Sequence, residues 1–495
     1  MQIKTKLIVL IILLVLTAKA QFLKPGGYRL GPTDDDGNDQ LLGNAMVDMA
    51  TRDFILFAGS GYGLNRTYDG GTTWKSFTSR DFGGKNGVTA IMFMDDSTLW
   101  ISTAFDTSIA DAGNLDAGGG LSYTSDLGQT WTYIPQPVDR IDETEYKPTT
   151  TIVQNVTFDI ASLDSTIWIT CWGGGIRRSS DMGQTWEVIT TDGRPFDASA
   201  VTNPGWRNHV AFSVITENGN VWVGTADGIS KSDDGGETWR RFTHQNQQLP
   251  ISGNFVVALA YQSYTNTIWA ATIEADTDTS EFRAVSKSEN GGESWETMLE
   301  GTFTHNFAFD DSVVYAASDL GMFISNDGGE NWYILPDIKD HITGEELNGT
   351  EYYSAAVTNE GVFHKFWAGN ESGIGSTIDN GNTWRVHRSF KSTQGEGMPN
   401  AYAYPSPFSP SRHGFIRFQY DITREGEVIV DIYDFAIDHV ATIREYESYP
   451  IDGTNDRSAK WDGTNDAGFT VATGVYFFRI NVEGKITWGK LVVIN

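Results

Sequence analysis

Ser232-Asp233-Asp234-Gly235-Gly236-Glu237-Thr238-Trp239 is one copy of an octet that occurs seven times along the 495 residues. Its form is [S/T]-x-D-x-G-x-T-W. The other copies are Thr67–Trp74, Thr124–Trp131, Ser179–Trp186, Ser288–Trp295, Ser325–Trp332 and Thr377–Trp384. The acidic position holds Asp69, Asp126, Asp181, Asp234, Asp327 and Asp379, with Asn290 in the fifth copy. The tryptophans are Trp74, Trp131, Trp186, Trp239, Trp295, Trp332 and Trp384, spaced 57, 55, 53, 56, 37 and 52 residues apart. Asp accepts hydrogen bonds from nearby backbone N–H groups and closes a tight turn. Gly takes a backbone conformation that other residues resist. The Ser or Thr hydroxyl shares the network, and Trp anchors the strand that follows. Each octet therefore reads as strand–turn–strand.

A second constant feature lies upstream. Trp100, Trp168, Trp222, Trp269 and Trp367 each sit in a short β-rich run, with Leu56 and Tyr315 at that place in the first and sixth copies. Another apolar or alternating run precedes each of these, as at Val88–Met94 and His209–Ile215. About four short strands per repeat of roughly 50 residues is the pattern of propeller blades. The fold class is all-β: a seven-bladed β-propeller over residues 43–390, followed by a small Ig-like β-sandwich. Tyr28–Leu30 is a candidate for closing the ring by strand exchange.

The octets resemble the Asp boxes of sialidase-like (BNR-repeat) propellers, over about 70% of the chain. That resemblance implies the fold and no particular chemistry, because the box is structural and the families that carry it differ in function. Sialidases carry a Phe-Arg-Ile-Pro motif and three arginines; the nearest stretch here is Tyr28-Arg29-Leu30-Gly31. Xyloglucanase-type hydrolases place a catalytic Asp in a first-blade turn, where this chain has Gly59-Ser60-Gly61-Tyr62-Gly63.

The repeats differ in loop length. Extra residues fall at 105–118 and 273–283, between strands two and three, and at 135–152, 190–207 and 336–350, between blades. Alternating strand direction puts all five on one rim around the channel mouth, opposite the boxes, where binding and catalysis concentrate on a rigid scaffold. Of 16 tryptophans, twelve belong to the repeat and Trp461 and Trp488 to the C-terminal domain. Trp172 and Trp206 remain. With Arg207 and His209 beside Trp206, they are the expected ligand-binding residues, indoles suited to stacking on a sugar ring or a peptide side chain. Packing beneath the long loops is the alternative for both.

Glycoside hydrolysis needs two placed carboxyl groups. Asp227 and Asp319 occupy matching turns between strands two and three and are the catalytic candidates, although a turn residue ahead of Gly is the plainer role. Asp106, Asp111, Asp116, Glu274, Asp276, Asp278 and Glu281 in the insertions read as solvated acidic loop or a weak Ca²⁺ site. Asp34–Asp39 lacks the terminal Glu of a calcium loop. His341, His364 and His387 form no metal-binding spacing. No metal or cofactor is expected, Ca²⁺ being the one weak candidate. Cys171, alone, excludes a disulfide framework and reads as a buried small residue.

Lys4 and Lys6, the apolar run Leu7–Leu16 and Ala18-Lys19-Ala20 read as a secretory signal peptide over residues 1–20, cut before Gln21. The run is too short to span a membrane. Losing its three lysines takes the net charge from −29 to −32. Residues 401–495 hold 9 basic and 13 acidic residues, so residues 21–400 carry −28. Such a surface argues against nucleic acid. It disfavours an anionic ligand and suits a neutral glycan, a protein or a cation.

After a polar linker at 391–400, strand-like runs recur at Ile416–Tyr420, Val428–Tyr433, Val440–Arg444, Val475–Val482 and Gly489–Ile494, with Trp461 as core plug. Tyr404-Pro405-Ser406-Pro407-Phe408, Trp461-Asp462-Gly463, Gly474-Val475-Tyr476-Phe477 and the closing Gly489–Ile494 resemble the Ig-like domain of flagellar hook-cap (FlgD-like) proteins and type IX secretion sorting domains. That resemblance implies an outer-membrane secretion machinery as partner, and secretion or surface display by a Gram-negative bacterium. Three functions stay open: a rim that binds carbohydrate or extracellular protein, a glycoside hydrolase acting on a neutral polysaccharide, and a structural or adhesion protein.

Overall fold

The computed structural model describes residues 41–495 apart from 110–112, 140–149, 198–203, 276–279, 343–345, 348, 361–362, 390–400, 405, 423 and 448–455. The signal peptide, Tyr28–Leu30, Asp34–Asp39 and the 391–400 linker lie outside the described residues. The chain divides into two compact units, Met1–Ser389 and Phe390–Asn495.

Unit one holds seven four-stranded antiparallel sheets, each with its strands in chain order. They run over residues 46–77, 87–134, 157–189, 211–242, 255–298, 304–334 and 352–387, and are called blades 1 to 7. The inner strands are Met46–Arg52, Gly87–Phe93, Thr157–Leu163, Ala211–Glu217, Phe255–Gln262, Thr304–Asp310 and Tyr352–Glu360. Each packs on the inner strand of the next blade, and Tyr352–Glu360 packs on Met46–Arg52, so the ring closes. No strand is exchanged among the described residues. Closure rests on side chains: Ser354 Oγ donates to Met46 O at 2.9 Å. Asn44 Nδ2 donates to Ser389 O at 3.1 Å, and Asn44 Oδ1 accepts from Ser389 N at 2.6 Å. Lys365 Nζ donates to Gly70 O at 2.8 Å.

The octets form the turns between strands three and four. In blade 2, Asp126 Oδ1 accepts from Thr124 Oγ1, Gln129 N and Thr130 N, and its Oδ2 accepts from Thr130 Oγ1. The box tryptophan does more than anchor its own strand. It also closes the seam to the preceding blade. Trp239, Trp332 and Trp74 each meet the second-strand tryptophan of the blade before (Trp168, Trp269, Trp367) edge-to-face, at 6.1 Å and 81–83°. Trp100, Trp168, Trp222, Trp269 and Trp367 are wholly buried. The box glycine is obligatory at such a seam. Gly236 has φ +94°, and a Cβ there would lie 2.4 Å from Trp168.

Two insertions depart from the expected loops. Residues 105–109 and 113–118 extend strands two and three of blade 2, Leu99–Ile109 pairing with Gly113–Thr124. The segment before blade 7 folds back along that blade's outer strand. Asp340 pairs alongside Trp384 and accepts from Val386 N at 2.8 Å, while Ile338 and Leu347 bury beside Trp384. It covers a sheet edge rather than decorating the rim, as exposed edge strands require.

Unit two is a β-sandwich. One sheet orders Ala401–Tyr404, Ile416–Asp421 and Asp456–Trp461; the other orders His439–Glu447, Gly426–Tyr433, Gly474–Val482 and Lys485–Val493. Trp461 is buried with Phe408, Phe418 and Phe478, and Trp488 is exposed. Phe408 ties to the last strand, donating from N to Val492 O and accepting from Ile494 N. No helix among the described residues is long and apolar enough to cross a membrane.

Candidate functional site

Every inner strand carries a β-bulge at the same place. The register breaks at Met46/Asp48, Val88/Ala90, Ala211/Ser213, Val256/Ala258, Thr304/Asn306 and Tyr352/Ser354, and Phe158 is the extra residue of blade 3. A bulge leaves one residue unpaired and re-aims its side chain. The seven residues so placed are Val47, Thr89, Phe158, Phe212, Val257, His305 and Tyr353. All seven line a central cavity of 590 Å³.

In five of the seven strands the next residue, Asp48, Asp159, Ser213, Asn306 or Ser354, ties the ring together. Asp48 Oδ2 accepts from Ile91 N of blade 2 at 2.8 Å. Asp159 Oδ2 accepts from Val214 N of blade 4 at 2.9 Å and from Ser213 Oγ at 2.8 Å. Ser213 Oγ accepts from Leu259 N of blade 5 at 2.9 Å. Asn306 of blade 6 reaches past blade 7 to donate to Asp48 Oδ1 at 3.4 Å. These groups satisfy backbone N–H donors along the inner strands, which would be costly to bury unpaired.

The channel mouth is aromatic on one side. Phe212 packs at 5.6 Å from Phe158, 4.5 Å from Phe255 and 5.5 Å from Trp172. His305 lies 4.6 Å from Phe303 and 6.0 Å from Tyr353. Tyr353 OH donates to Glu351 at 3.3 Å.

The expected platform residues are placed differently from one another. Trp172 is only 8% exposed and buries with Phe212, Phe255 and Val257. It packs edge-to-face against Phe212 and is not an exposed platform. Trp206 is half-buried, with the Arg194 guanidinium 4.1 Å over its ring and His209 5.2 Å from it. Arg207 donates to Ala275 O at 2.6 Å and so spans from the blade 3–4 loop to blade 5. His209 is buried and stacked on Phe196; Nδ1 accepts from Asp197 N and Nε2 meets Asp192 Oδ1 at 3.2 Å. Its polar atoms hold the loop, so it is not available as a surface contact.

Asp227 ion-pairs with Arg241, whose guanidinium also donates to Asp227 O. Burial pushes the Asp227 carboxyl above the ordinary carboxylate range, with Arg241 opposing. Asp319 Oδ1 accepts from Phe303 N at 2.9 Å, the work of a turn residue. Glu281 is not solvated as expected. It is buried, and accepts from Asn254 N, Asn254 Nδ2, Gln245 Nε2 and Ala275 N, pinning its insertion. Cys171 is buried, and burial pushes its thiol up to about 11.

No family model and no curated protein matches the chain. Solved structures do. An ancestral GH74 enzyme aligns with TM-score 0.53 at 13% identity, over 94% of this chain and 64% of that one. The GH74 enzyme of Niastella koreensis aligns with TM-score 0.50 at 13% identity, over 93% of this chain and 74% of that one. The GH74 xyloglucanase of Xanthomonas campestris also gives 0.50 at 13% identity, over 92% and 74%. The likeness is one of fold: these neighbours are propeller proteins.

The bulge ring was not read from the sequence. Its trace is a small polar residue inside an apolar inner strand: Val47-Asp48-Met49, Phe158-Asp159-Ile160, Phe212-Ser213-Val214, His305-Asn306-Phe307 and Tyr353-Ser354-Ala355.

Proposed function

We propose that this is an exported or surface-displayed propeller that binds an extracellular ligand, carbohydrate or protein, at its channel mouth. One observation carries the reading. The seven bulge residues line one 590 Å³ cavity, and a concave site with a few placed polar groups is the usual form of a binding site. Trp206 and Arg207 lie in the loop between blades 3 and 4, outside the cavity lining. The signal-like N-terminus and the sorting-domain resemblance of the C-terminal unit support an extracellular place and an outer-membrane secretion partner.

The test is a binding screen of the mature chain against neutral polysaccharides and extracellular proteins, repeated with Val47→Phe. Val47 lines the cavity and is half-buried, so the larger ring narrows the channel and removes no contact. Binding lost in Val47→Phe supports the reading; binding retained there, for every ligand captured, refutes it. The hydrolase reading keeps one specific support, the raised carboxyl of Asp227, since a general acid needs an elevated pKa. It requires release of reducing sugar from a polysaccharide that Asp227→Asn abolishes.

A further inference from the structure

We infer that the channel selects a cationic group on an apolar stem, the Lys or Arg side chain of a polypeptide inserted through the mouth. This rests on the channel-binding reading above and narrows its ligand. Three features of the cavity point the same way. First, its wall is apolar and aromatic at the bulge level, through Phe158, Phe212, Val257 and Tyr353. Such a wall takes the methylene stem of a long cationic side chain. Second, the residues that line the cavity include two carboxylates, Asp48 and Asp159, and no Lys or Arg. Residues 21–400 carry −28 overall, so the field at the mouth draws cations and repels anions. Third, the polar atoms next to the bulges are engaged with inner-strand backbone, as with Asp159 on Val214 N and Ser213 on Leu259 N. These groups thus offer charge more than the many directed hydrogen bonds that sugar hydroxyls require. The aromatic rings, packed edge-on or tilted against one another, also present no broad flat face for a pyranose.

The test uses the mature full chain and three probes of one length: hexylammonium, hexanol and hexanoate, titrated by saturation-transfer NMR at low salt. Hexylammonium should bind at least about tenfold more tightly than hexanol, the factor expected for one charge at roughly 6 Å in an effective dielectric near 40. Hexanoate should not bind. Asp159→Asn keeps an acceptor for the inner-strand N–H donors and should weaken hexylammonium with little change for hexanol. Raising the salt to 0.5 M should weaken hexylammonium alone. Equal binding of hexanol and hexylammonium overturns the inference, as does hexylammonium binding that Val47→Phe leaves intact, because that places it on the acidic surface. A glycan or neutral ligand that Val47→Phe blocks, with no preference among the probes, overturns the cation assignment and leaves channel binding standing.

Discussion

Asp126→Ala in the second octet removes a carboxylate that accepts four hydrogen bonds, two from backbone N–H groups and two from hydroxyls, at 2.7–2.9 Å. The site is exposed, so each bond sits near the low end of the usual range. At about 0.5–1 kcal/mol each, the loss is roughly 2–4 kcal/mol. Asp126→Asn should cost far less, about 0.5 kcal/mol. The fifth octet already shows why. Asn290 Oδ1 accepts from Ser294 N and Ser288 Oγ, and its Nδ2 donates to Ser294 Oγ, so the hydroxyl contact reverses direction and survives. The assay is urea unfolding followed by tryptophan fluorescence and calorimetry. The propeller transition is read separately from the C-terminal unit, because two units need not unfold together. The variants should also differ with pH. Hydrogen bonds, from Thr130 above all, hold the Asp126 pKa at about 2 against an ordinary 3.8. A depressed carboxylate stabilises the fold above pH 3.8 and loses that contribution as pH falls toward 2. The gap between wild type and Asp126→Ala should narrow over that window. Equal damage from Asn and Ala, or less than about 0.5 kcal/mol from Ala, would refute the capping account.

Other outcomes follow from the seams. His387 is enclosed at the blade 7–1 junction, with Trp74 and Trp367 within 5.7 Å, and burial first, then Arg385 and Lys365, holds its pKa at about 3. It stays neutral when folded, so stability should fall as pH drops from 6.5 toward 3, and His387→Gln should flatten thermal midpoints between pH 6.5 and 4. Gly236→Ala should lower stability by about 2–4 kcal/mol, since both φ +94° and the 2.4 Å approach to Trp168 oppose a methyl group; a drop under 0.5 kcal/mol in calorimetry would contradict this. Asn44→Ala removes both hydrogen bonds to Ser389 and should cost about 1–3 kcal/mol in the propeller transition, with no change in the C-terminal one. Glu281→Ala leaves Asn254 and Gln245 without their buried acceptor and should raise proteolysis in the 273–283 insertion.

The parts of this molecule that were legible in the sequence are those made by neighbours along the chain. An octet closes its own turn, because Asp126, Thr124 and Thr130 lie within four residues of one another. Seven copies with a Trp-bearing strand upstream of most then count the blades. The sandwich strands at Gly426–Tyr433 and Gly474–Val482 were readable for the same reason, through alternation of buried and exposed positions. Asp456–Trp461 and Ala401–Tyr404 were missed, the first carrying charges at both ends of a short run and the second hidden beside a Pro-rich turn.

The candidate site was less legible. Trp172 and Trp206 both stand outside the repeat, yet one is buried and the other a half-covered ring. Nothing local separates them. What decides is whether Phe212 of the next blade lies over the indole, and that depends on how two blades meet. Glu281 likewise reads as loop acid until Asn254 and Gln245, from 27 and 36 residues earlier, converge on it. The sequence by itself therefore determined the blade, its turn and the number of copies, since hydrogen bonds within an octet need only short-range chain geometry. The channel was decided by tertiary structure alone. A bulge is a mismatch between two strands, and its residue lines a channel only once seven inner strands have closed around a common axis.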